Sequence, residues 1–317
     1  MAFSQFSAAS LFGVPNVVAV VTGGGSGLGA IAAHALAANG AKAVFVIGRR
    51  KSALVETKQK SPNPDLVHPI VCDITHKESL TAAVERIRAQ VGYIDVLFAN
   101  SGVSKAGTGP MSGSETIDDL QQKLWKPDMA DFSETMHVNV TGSFYTVVAF
   151  LGLLDEGNKR AVAATKSQVV LTTSVAGFSR VPFAGFSYSA SKAAVTHLTK
   201  QLSTVLAPYK IRVNGIAPGF FPSEMTQNLS FMKSDKNPRE EGALDAQQAP
   251  LQRVGTEEEF AGIILFLVSK AGGYINGNVI LSDGGRIGIV PSTYYTASCH
   301  HQCEQNRHNW INATSEG

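Results

Sequence analysis

Short apolar runs and longer helical segments alternate along most of the chain. Seven of the runs have the length of a buried strand and are rich in β-branched residues; they cover residues 17–22, 43–47, 66–72, 93–99, 168–173, 211–216 and 278–282. Segments of helical pattern lie between them, including residues 30–38, 77–91, 132–154, 187–207 and 257–268. Continuous apolar strands that alternate with helices are typical of a parallel sheet covered on both faces. We therefore expect an α/β fold, a doubly wound seven-stranded parallel sheet, in a single domain over residues 14–290.

Three stretches interrupt this alternation. Residues 103–131 form a polar insertion after the fourth strand, rich in Gly, Ser and Asp. Residues 220–250 form a long segment after the sixth strand that mixes apolar side chains with charges, and loops of this length are often lids over a site. Residues 296–317 have little periodicity and no apolar stripe, which predicts a disordered tail.

Composition and charge narrow the class of protein. The 317 residues are 44% hydrophobic, which is enough to bury a full core. The net charge of +2 and the charged fraction of 16% give no basic footprint for nucleic acid or an anionic membrane. Three cysteines are too few, and odd in number, for a disulfide framework, and the first residues lack a basic segment followed by a long apolar run. We expect a cytoplasmic protein that acts on a small molecule and neither binds nucleic acid nor spans a membrane.

A glycine-rich turn joins the first strand to the first helix. It reads Thr22-Gly23-Gly24-Gly25-Ser26-Gly27-Leu28-Gly29 and fits two spacings, Gly25-x-Gly27-x-x-Ala30 and Thr22-Gly23-x-x-x-Gly27-x-Gly29. Such a turn lets backbone amides approach a pyrophosphate, which the positive end of the helix dipole also attracts. No Lys-Ser or Lys-Thr pair follows the glycines, which excludes a phosphate-loop nucleoside triphosphatase (NTPase). The pattern predicts a dinucleotide site; the alternative is a flexible loop whose glycines are incidental.

The residues after the second strand distinguish between the two nicotinamide dinucleotides. An acidic residue at this place binds the ribose hydroxyls of NAD(H), but here Gly48 is followed by Arg49 and Arg50. A guanidinium binds the additional 2′-phosphate of NADP(H) in a bidentate manner, whereas an acid would repel it. We therefore expect NADP(H). The alternative is that both arginines are ordinary solvated surface charges.

A serine, a tyrosine and a lysine have a spacing that suits acid–base chemistry. Ser174 precedes Tyr188 by fourteen residues, and Lys192 follows Tyr188 by four. In a helix over residues 187–207, Tyr188 and Lys192 lie on one face, one turn apart. A nearby ammonium favours the phenolate, so we expect Lys192 to lower the pKa of Tyr188 toward the range of a general acid or base. Ser174, at the end of the preceding strand, can hydrogen-bond a substrate oxygen.

Taken together, these motifs resemble those of a known family. Thr22-Gly-x-x-x-Gly-x-Gly29, Asn100-Ser-Gly102, Asn139, Ser174, Tyr188-x-x-x-Lys192 and Pro218-Gly219 occur in order, as in the classical short-chain dehydrogenase/reductases. The resemblance covers about residues 14–290 and implies a Rossmann-type fold. Residues 216–226 are also similar to the 3-oxoacyl-carrier-protein reductase type and its relatives in microbial and fungal secondary metabolism.

The resemblance implies a role for each matching residue. The catalytic residues would be Asn139, Ser174, Tyr188 and Lys192. Tyr188 would exchange the substrate proton, Lys192 would also bind the nicotinamide ribose, and Asn139 would bend its helix and hold a water of a proton relay. Contacts to NADP(H) are implied for Thr22, Gly23, Ser26, Gly27, Leu28, Gly29, Arg49, Arg50, Asp73, Ile74, Asn100, Gly102, Tyr188, Lys192, Pro218, Gly219, Phe221 and Ser223. Of these, Asp73 and Ile74 would contact the adenine, and the Phe221 backbone would contact the nicotinamide amide.

One departure from the family pattern concerns the phosphate. Ser26 stands where many NADP-preferring members carry a basic residue. Recognition of the 2′-phosphate would therefore depend on Arg49 and Arg50 alone.

The sequence predicts an NADP(H)-dependent oxidoreductase that interconverts a ketone and a secondary alcohol. The apolar side chains of residues 220–232 favour a mostly apolar substrate, such as a ketoacyl or polyketide-like intermediate. The alternative is a non-catalytic protein that senses NADP(H) or serves as an interaction module, although such a protein would not need all four predicted catalytic residues. Enoyl reduction is disfavoured, because that branch of the family spaces its tyrosine and lysine further apart.

The resemblance also implies a homo-tetramer or homo-dimer, assembled through helices 132–154 and 187–207. The apolar residues that suit these contacts are Phe144, Val148, Leu151, Val195, Leu198 and Leu202. Near the end of the chain, Cys299-His300-His301-x-Cys303 has the residue types of a zinc site. The tail offers no surrounding structure to support such ligands, so we predict no metal site.

Overall fold

Seven parallel strands form the sheet at the centre of the protein. The structure is a computed structural model that describes residues 3–105, 111, 113–233 and 235–293. The strands are β1 (Val18–Thr22), β2 (Ala43–Gly48), β3 (Val67–Val71), β4 (Val96–Ala99), β5 (Gln168–Thr172), β6 (Arg212–Pro218) and β7 (Val279–Ser282). Their order is β3-β2-β1-β4-β5-β6-β7, and every pair is parallel. This confirms the predicted doubly wound α/β fold.

Helices connect the strands and cover both faces of the sheet. They are α1 (Ala8–Phe12), α2 (Gly27–Ala38), α3 (Lys51–Lys60), α4 (Lys77–Gln90), α5 (Ile117–Trp125), α6 (Met129–Met136), α7 (Ser143–Arg160), α8 (Phe186–Val205) and α9 (Glu257–Val268). Apolar residues of α4, α7 and α8 pack on one face, and those of α2 and α9 pack on the other. Because both faces are buried, the strands are apolar at consecutive positions rather than at alternate ones.

Two helices differ from the segments expected from the pattern. Helix α3 has no predicted counterpart, because only Leu54 and Thr57 are buried in it and its sequence carries no apolar stripe. Helix α2 begins at Gly27 rather than at Ala30, because the end of the glycine turn forms its first turn. The glycine turn is therefore part of the helix N-terminus and not only a connection to it.

The predicted helix over residues 132–154 belongs to a longer helical stretch, Met129–Arg160. Within it, α6 passes into α7 through one π-helical turn, His137–Gly142. By length and composition alone the stretch could cross a membrane, and half of its most apolar window is buried in the protein. Val147 and Phe150 are fully buried in the core beside the sheet, so packing within the domain accounts for its apolar character.

The insertion at residues 103–131 is not purely irregular, since it contains α5 and the first residues of α6. Side-chain caps begin both helices. Thr116 Oγ1 accepts a hydrogen bond from Asp119 N, and Asp128 Oδ1 accepts one from Ala130 N. No residue of α5 is buried. Thr116 and Asp128 are therefore the sequence signals that mark where these helices begin. The overall polarity of the stretch favours an irregular segment instead.

The described residues of 220–250, called the 220–250 segment below, form turns and one short 3-10 helix, Ser230–Lys233. Leu244 and Ala249 are buried in a small separate cluster, and Phe220 and Phe231 pack against it. The segment therefore has a small apolar core of its own beside the main domain core. The predicted tail, residues 296–317, lies outside the described residues.

Two residues of the predicted assembly faces point into the protein core instead. Val195 and Leu202 on α8 are 1% and 7% exposed and pack in the main core. They are seven residues apart, so the helical period places them on the same face, which here is the one toward the sheet. A second copy of the chain cannot contact them, whereas Val148 on α7 is 42% exposed.

A pair of glycine substitutions tests how closely α7 packs against the sheet. A Cβ atom on Gly157 would lie 2.2 Å from the carbonyl oxygen of Ile94, whereas one on Gly262 in α9 would meet no described atom within 4 Å. We expect Gly157→Ala to lower the free energy of unfolding by about 1–3 kcal/mol or more, because the backbone must shift. The control, Gly262→Ala, should raise it by about 0.5–1 kcal/mol. Urea denaturation checks both, and a Gly157→Ala protein as stable as the wild type would contradict this packing.

Candidate active site

The carboxyl ends of the parallel strands open into a cavity of about 700 Å³. It includes the point where β1 and β4 adjoin and the strand order reverses, which is where open α/β sheets bind ligands. The predicted residues that line it are Gly23, Ser26, Gly27, Leu28, Arg49, Arg50, Asp73, Ile74, Asn100, Gly102, Ser174, Tyr188, Lys192, Pro218, Gly219, Phe221 and Ser223. The other predicted residues, Thr22, Gly29 and Asn139, are not part of the lining. The structure thus brings most of the predicted cofactor and catalytic residues together in one cavity.

The glycine turn has the backbone conformation that its sequence predicts. Gly23 and Gly27 have φ angles of +63° and +51°, a region that residues with side chains rarely occupy. A Cβ atom on Gly29 would lie 2.2 Å from the carbonyl oxygen of Gly23, so this position needs glycine for packing. Ser26 is the N-cap of α2, and its side chain makes no capping hydrogen bond. The first-turn amides of α2 are therefore not capped by that side chain, which suits an anion-binding helix N-terminus.

Hydrogen bonds between side chains and backbone join three strand ends at the base of the cavity. Thr22 Oγ1 accepts hydrogen bonds from the backbone amides of Asn100, at 3.0 Å, and of Ser101, at 3.1 Å. Asn100 Oδ1 accepts one from Thr172 Oγ1 at 2.9 Å. Thr22 and Asn100 therefore fix the carboxyl ends of β1, β4 and β5 relative to one another.

Asp73, Ile74 and Arg49 line the part of the cavity next to β2 and β3. Asp73 Oδ1 accepts hydrogen bonds from Thr75 N at 3.0 Å and from Thr75 Oγ1 at 2.7 Å. Burial tends to raise the pKa of the Asp73 carboxyl, but these hydrogen bonds and the charge of Arg49 outweigh it and hold the pKa below its usual value. Asp73 is therefore an anion at neutral pH that can accept further hydrogen bonds.

Arg50 reaches the cavity but has an anionic partner there. Its Nη2 atom donates to both carboxylate oxygens of Glu224, at 2.8 and 2.9 Å, and to Ser26 Oγ at 3.3 Å. The sequence predicts Arg50 as a phosphate ligand but gives no signal for Glu224, which lies 174 residues further along the chain. Among the described residues, no carboxylate lies within ion-pair distance of Arg49. The two predicted phosphate ligands therefore differ in their surroundings.

Helix α8 places Tyr188 and Lys192 one turn apart, as predicted. Lys192 Nζ donates to the carbonyl oxygen of Thr172 at 2.8 Å and lies 5.6 Å from the centroid of the Tyr188 ring. Ser174 follows β5, and its Oγ accepts a hydrogen bond from Ala176 N at 3.1 Å. The side chains of Ser174, Tyr188 and Lys192 therefore converge although they come from two different elements.

Asn139 lies in the π-helical turn and joins it to two other segments. Its Nδ2 donates to the carbonyl oxygen of Val103 and to Ser191 Oγ, both at 2.9 Å, and its Oδ1 accepts from Val103 N at 2.8 Å. Ser191 Oγ donates in turn to the carbonyl oxygen of Tyr188 at 2.7 Å. The expected irregularity of this helix is present as the π turn, and Asn139 supports Tyr188 through Ser191. Its role in holding a relay water stays a prediction.

The end of β6 and the turn after it form a further wall of the cavity. Phe221 is 4% exposed and packs edge-on against Phe260, with ring centroids 5.6 Å apart. Thr226 Oγ1 donates to the carbonyl oxygen of Phe221 at 2.6 Å and accepts from Ser223 N at 3.0 Å. The Phe221 carbonyl, predicted to contact a nicotinamide amide, is thus also an acceptor for Thr226.

Comparison with known proteins identifies the family. Residues 17–234 match the family model described as short chain dehydrogenase. The chain belongs to the short-chain dehydrogenase family. The family predicted from the sequence motifs is therefore confirmed. Proteins of this family are oxidoreductases that bind a nicotinamide cofactor.

Individual short-chain dehydrogenases resemble the chain over most of its length. It is 43% identical over 287 residues to the short-chain dehydrogenase/reductase PhomF' of Diaporthe leptostromiformis. The matched region covers 90% of this chain and 97% of the relative. It is 31% identical over 279 residues to the rhamnolipids biosynthesis 3-oxoacyl-acyl-carrier-protein reductase of Pseudomonas aeruginosa, covering 86% and 97%. Its fold matches the Pseudomonas aeruginosa RhlG/NADP active-site complex with a TM-score of 0.71 and 29% identity, over 87% of this chain and 98% of the other.

In this short-chain dehydrogenase, burial shifts Tyr188 and Lys192 on α8 toward their neutral forms. Tyr188 as a whole residue is half-buried, yet burial raises the pKa of its phenol, and hydrogen bonding with Ser174 only partly opposes the rise. Burial also lowers the pKa of Lys192 to about 8. The net pKa of Tyr188 is therefore raised and not lowered as expected, because loss of hydration disfavours the phenolate more than its neighbours favour it.

Arg286 is a buried arginine that no sequence motif indicates, and it contacts two aromatic rings of the cavity wall. The Arg286 guanidinium lies between Phe183 and Phe220, 4.4 and 4.6 Å from their ring centroids, and both rings line the cavity. Its Nη1 also donates to the carbonyl oxygen of Gln248. Arg286 therefore connects the loop before α8 with both ends of the 220–250 segment.

The last described residues of the dehydrogenase pair with the same loop. Arg180 N donates to the carbonyl oxygen of Pro291 at 2.8 Å, and Thr293 N donates to that of Phe178 at 2.9 Å. Together with Arg286, these residues hold the loop before α8, of which Pro182 to Gly185 line the cavity. Nothing local in the sequence indicates this contact, because it joins segments more than a hundred residues apart.

The candidate metal and cysteine residues can be placed only in part. The described part of the dehydrogenase contains no group of three or more His, Cys, Asp or Glu side chains placed to hold an ion, and Cys299-His300-His301-x-Cys303 lies outside that part. Cys72 is 2% exposed, and burial raises the pKa of its thiol. Cys72 is therefore protonated at neutral pH and belongs to the core, as its place on the third predicted strand suggests.

The pKa of Lys192 leads to a pH prediction for reduction by this dehydrogenase. A lysine with a pKa of about 8 is protonated below that pH and neutral above it. If the ammonium is required, kcat/KM for the reduced cofactor, which reports groups of the free enzyme, should be level near neutral pH and fall above pH 8. A pH profile measured at a saturating ketone concentration checks this. A rate that stays level well into the alkaline range would show that the charge of Lys192 is not needed.

Proposed function

We propose that this protein is an NADP(H)-dependent oxidoreductase that interconverts a ketone and a secondary alcohol, with Tyr188 as the general acid and base. The observation that carries the proposal is the convergence of Ser174, Tyr188 and Lys192 in the cavity that also contains the glycine turn and Arg49. When bound, the nicotinamide supplies or accepts the hydride. The residues of the chain bind and orient the reactants and transfer the proton.

The described residues fit a dinucleotide. The positive φ angles of Gly23 and Gly27 keep side chains out of the turn, and a helix N-terminus follows at once. The Asp73 carboxylate can accept hydrogen bonds from an adenine amino group, and Arg49 can donate to a phosphate. Each of these groups lines the same cavity.

The state of Tyr188 suits proton donation to a carbonyl oxygen. Its raised pKa means that the phenol keeps its proton at neutral pH, as a general acid must. Ser174, at the same wall, donates a hydrogen bond to the substrate oxygen and orients it. In the direction of alcohol oxidation Tyr188 must take up the proton as a phenolate, and the protonated form of Lys192, present below pH about 8, favours that anion.

The walls beyond Tyr188 support a mostly apolar substrate. The apolar residues there are Val103, Phe183, Phe220, Met225 and Leu229. Lys105 also lines the cavity, but its Nζ lies 2.7 Å from a carboxylate oxygen of Glu134, which balances its charge. We infer a ketone or secondary alcohol of the ketoacyl or polyketide-like class, used in secondary metabolism. The similarity to a 3-oxoacyl-acyl-carrier-protein reductase named for rhamnolipids biosynthesis supports this class.

The alternative is a non-catalytic protein that senses NADP(H) or serves as an interaction module. Such a protein needs the glycine turn and the arginines but has no use for a phenol beside a buried lysine. The joint presence of Asn139, Ser174, Tyr188 and Lys192 at one site favours the enzyme.

We also propose a homo-dimer or homo-tetramer as the working assembly. Its support is the exposure of apolar side chains on the two helices of the predicted interface, with Val148 on α7 at 42% and Phe186 on α8 at 47%. The buried Val195 and Leu202 take no part in it.

Replacing the phenol tests the proton donor. Tyr188→Phe keeps the ring but removes the hydroxyl, so we expect turnover to fall by about 10²–10⁴-fold, with the dissociation constant of NADPH unchanged in a fluorescence titration. Tyr209→Phe is the matched control, because Tyr209 is 64% exposed and remote from the lining residues. A Tyr188→Phe enzyme that keeps more than about a third of the wild-type rate would end the assignment.

Pairs of ketones that differ in one property test the substrate class. We expect kcat/KM with NADPH to rise with the length of an apolar chain, by roughly fourfold for each methylene that becomes buried, and to fall when that chain ends in a carboxylate. Initial rates followed by NADPH absorbance give both comparisons. If small charged keto acids are the best substrates, the apolar reading of the cavity is wrong.

A further inference from the structure

The ion pair between Arg50 and Glu224 connects two separate parts of the cavity wall. Arg50 lies two residues after the end of β2 and is the N-cap of α3, whereas Glu224 belongs to the turn after β6. Arg50 Nη2 lies 2.8 Å from one carboxylate oxygen of Glu224 and 2.9 Å from the other. Both residues line the cavity. The pair therefore lies at the place where the predicted phosphate ligand meets the 220–250 segment.

The Glu224 carboxylate is held in this position by a hydrogen-bonded turn. Thr226 Oγ1 accepts from Ser223 N at 3.0 Å, and Thr226 N donates to the carbonyl oxygen of Ser223 at 3.1 Å. The turn also packs on the glycine turn, since Ser223 Cβ lies 3.3 Å from the position that a Cβ on Gly27 would take. Glu224 is thus presented to Arg50 by ordered backbone and not by a free loop.

The contacts of Arg50 leave little room for a second anion at the same nitrogen. Nη2 carries two N–H groups, and in this structure its partners are Glu224 and Ser26 Oγ. A phosphate that takes the same edge of the guanidinium must replace the carboxylate or lie beside it, and two anions at that distance repel each other. Arg49, by contrast, has no carboxylate within ion-pair distance among the described residues.

We propose that Glu224 is a specificity-determining residue that competes with the adenosine 2′-phosphate of NADP(H) for Arg50. The inference rests on the proposed use of NADP(H) and adds that Arg49 and Arg50 contribute unequally to it. Binding of NADP(H) exchanges one anionic partner of Arg50 for another, whereas NAD(H), which has a hydroxyl at this position, leaves the ion pair intact. Glu224 therefore reduces the advantage of NADP(H) over NAD(H).

Removal of the carboxylate charge tests this competition without any assay of turnover. We expect Glu224→Gln to lower the dissociation constant of NADPH by roughly two- to fivefold, given the strength of exposed ion pairs, and to change that of NADH by less than twofold. Titration of cofactor fluorescence measures both constants. The difference should shrink at about 1 M salt, where the Debye length falls to about 3 Å.

A control variant separates this contact from a change of net charge. Glu241→Gln removes one charge from the same 220–250 segment, and that glutamate is exposed, as Glu224 is, but its charge acts on Arg253. We expect it to leave the ratio of the two dissociation constants unchanged. An equal effect of Glu241→Gln and Glu224→Gln would overturn the proposal, as would a Glu224→Gln protein that binds both cofactors more tightly by the same factor.

A double-mutant cycle gives the decisive measurement. In an Arg50→Gln chain, adding Glu224→Gln should no longer tighten NADPH, because the two anions have nothing left to compete for. A tightening that persists would overturn the proposal.

The outcomes also separate this inference from the proposed function. If the wild type prefers NADPH and Glu224→Gln changes nothing, the competition is wrong and the cofactor assignment stands. If the wild type binds NADH and NADPH equally but Glu224→Gln creates a preference for NADPH, the competition stands and the assignment of NADP(H) to the wild type fails.

Discussion

A continuous chain of hydrogen bonds from Thr22 through Asn100 and Thr172 to Lys192 joins β1, the end of β4, β5 and α8. The Asn100 amide donates to the Thr22 hydroxyl, the Thr172 hydroxyl donates to the Asn100 side chain, and the Lys192 ammonium donates to the Thr172 carbonyl. At this edge the ladder of the sheet ends, and buried backbone groups must find other partners. Side chains take over that role here. The carboxyl ends of the strands therefore set the position of Lys192 through hydrogen bonds within the protein.

The same cavity has two electrostatic regimes. Around the ends of β2 and β3, the Arg50–Glu224 ion pair is largely exposed, and hydrogen bonds hold the pKa of the Asp73 carboxyl below its usual value despite its partial burial. Around α8, burial moves Tyr188 and Lys192 toward their neutral forms and Arg286 is enclosed between aromatic rings. The two parts of the cavity therefore differ in how much water they leave around charged groups. This difference suits a ligand that is polar at one end and apolar at the other.

The strands and the family motifs could be predicted because their signals are local. Seven β-branched runs identify the sheet, and the glycine turn, Ser174, Tyr188 and Lys192 are recognised by spacing. Helix α3 could not be predicted, since only Leu54 and Thr57 are buried in it. The Arg50–Glu224 pair and the Arg286 contacts depend on segments that only folding brings together. The direction of the Tyr188 pKa also escaped the sequence, because a spacing of four residues places Lys192 nearby but says nothing about how much water either group loses.

The contacts of residues 286–293 with the loop before Tyr188 have a consequence for how the protein is made. A domain generally folds as a unit, and Arg286 is synthesised long after β1, its glycine turn and the neighbouring strands. Until that residue arrives, Phe183 and Phe220 have no cation between them, and the loop from Phe178 lacks its backbone partner Thr293. The side of the cavity formed by Phe183 and Phe220 therefore cannot be completed before the final part of the domain has been synthesised. A truncation before Arg286 would remove these contacts although it leaves the glycine turn intact.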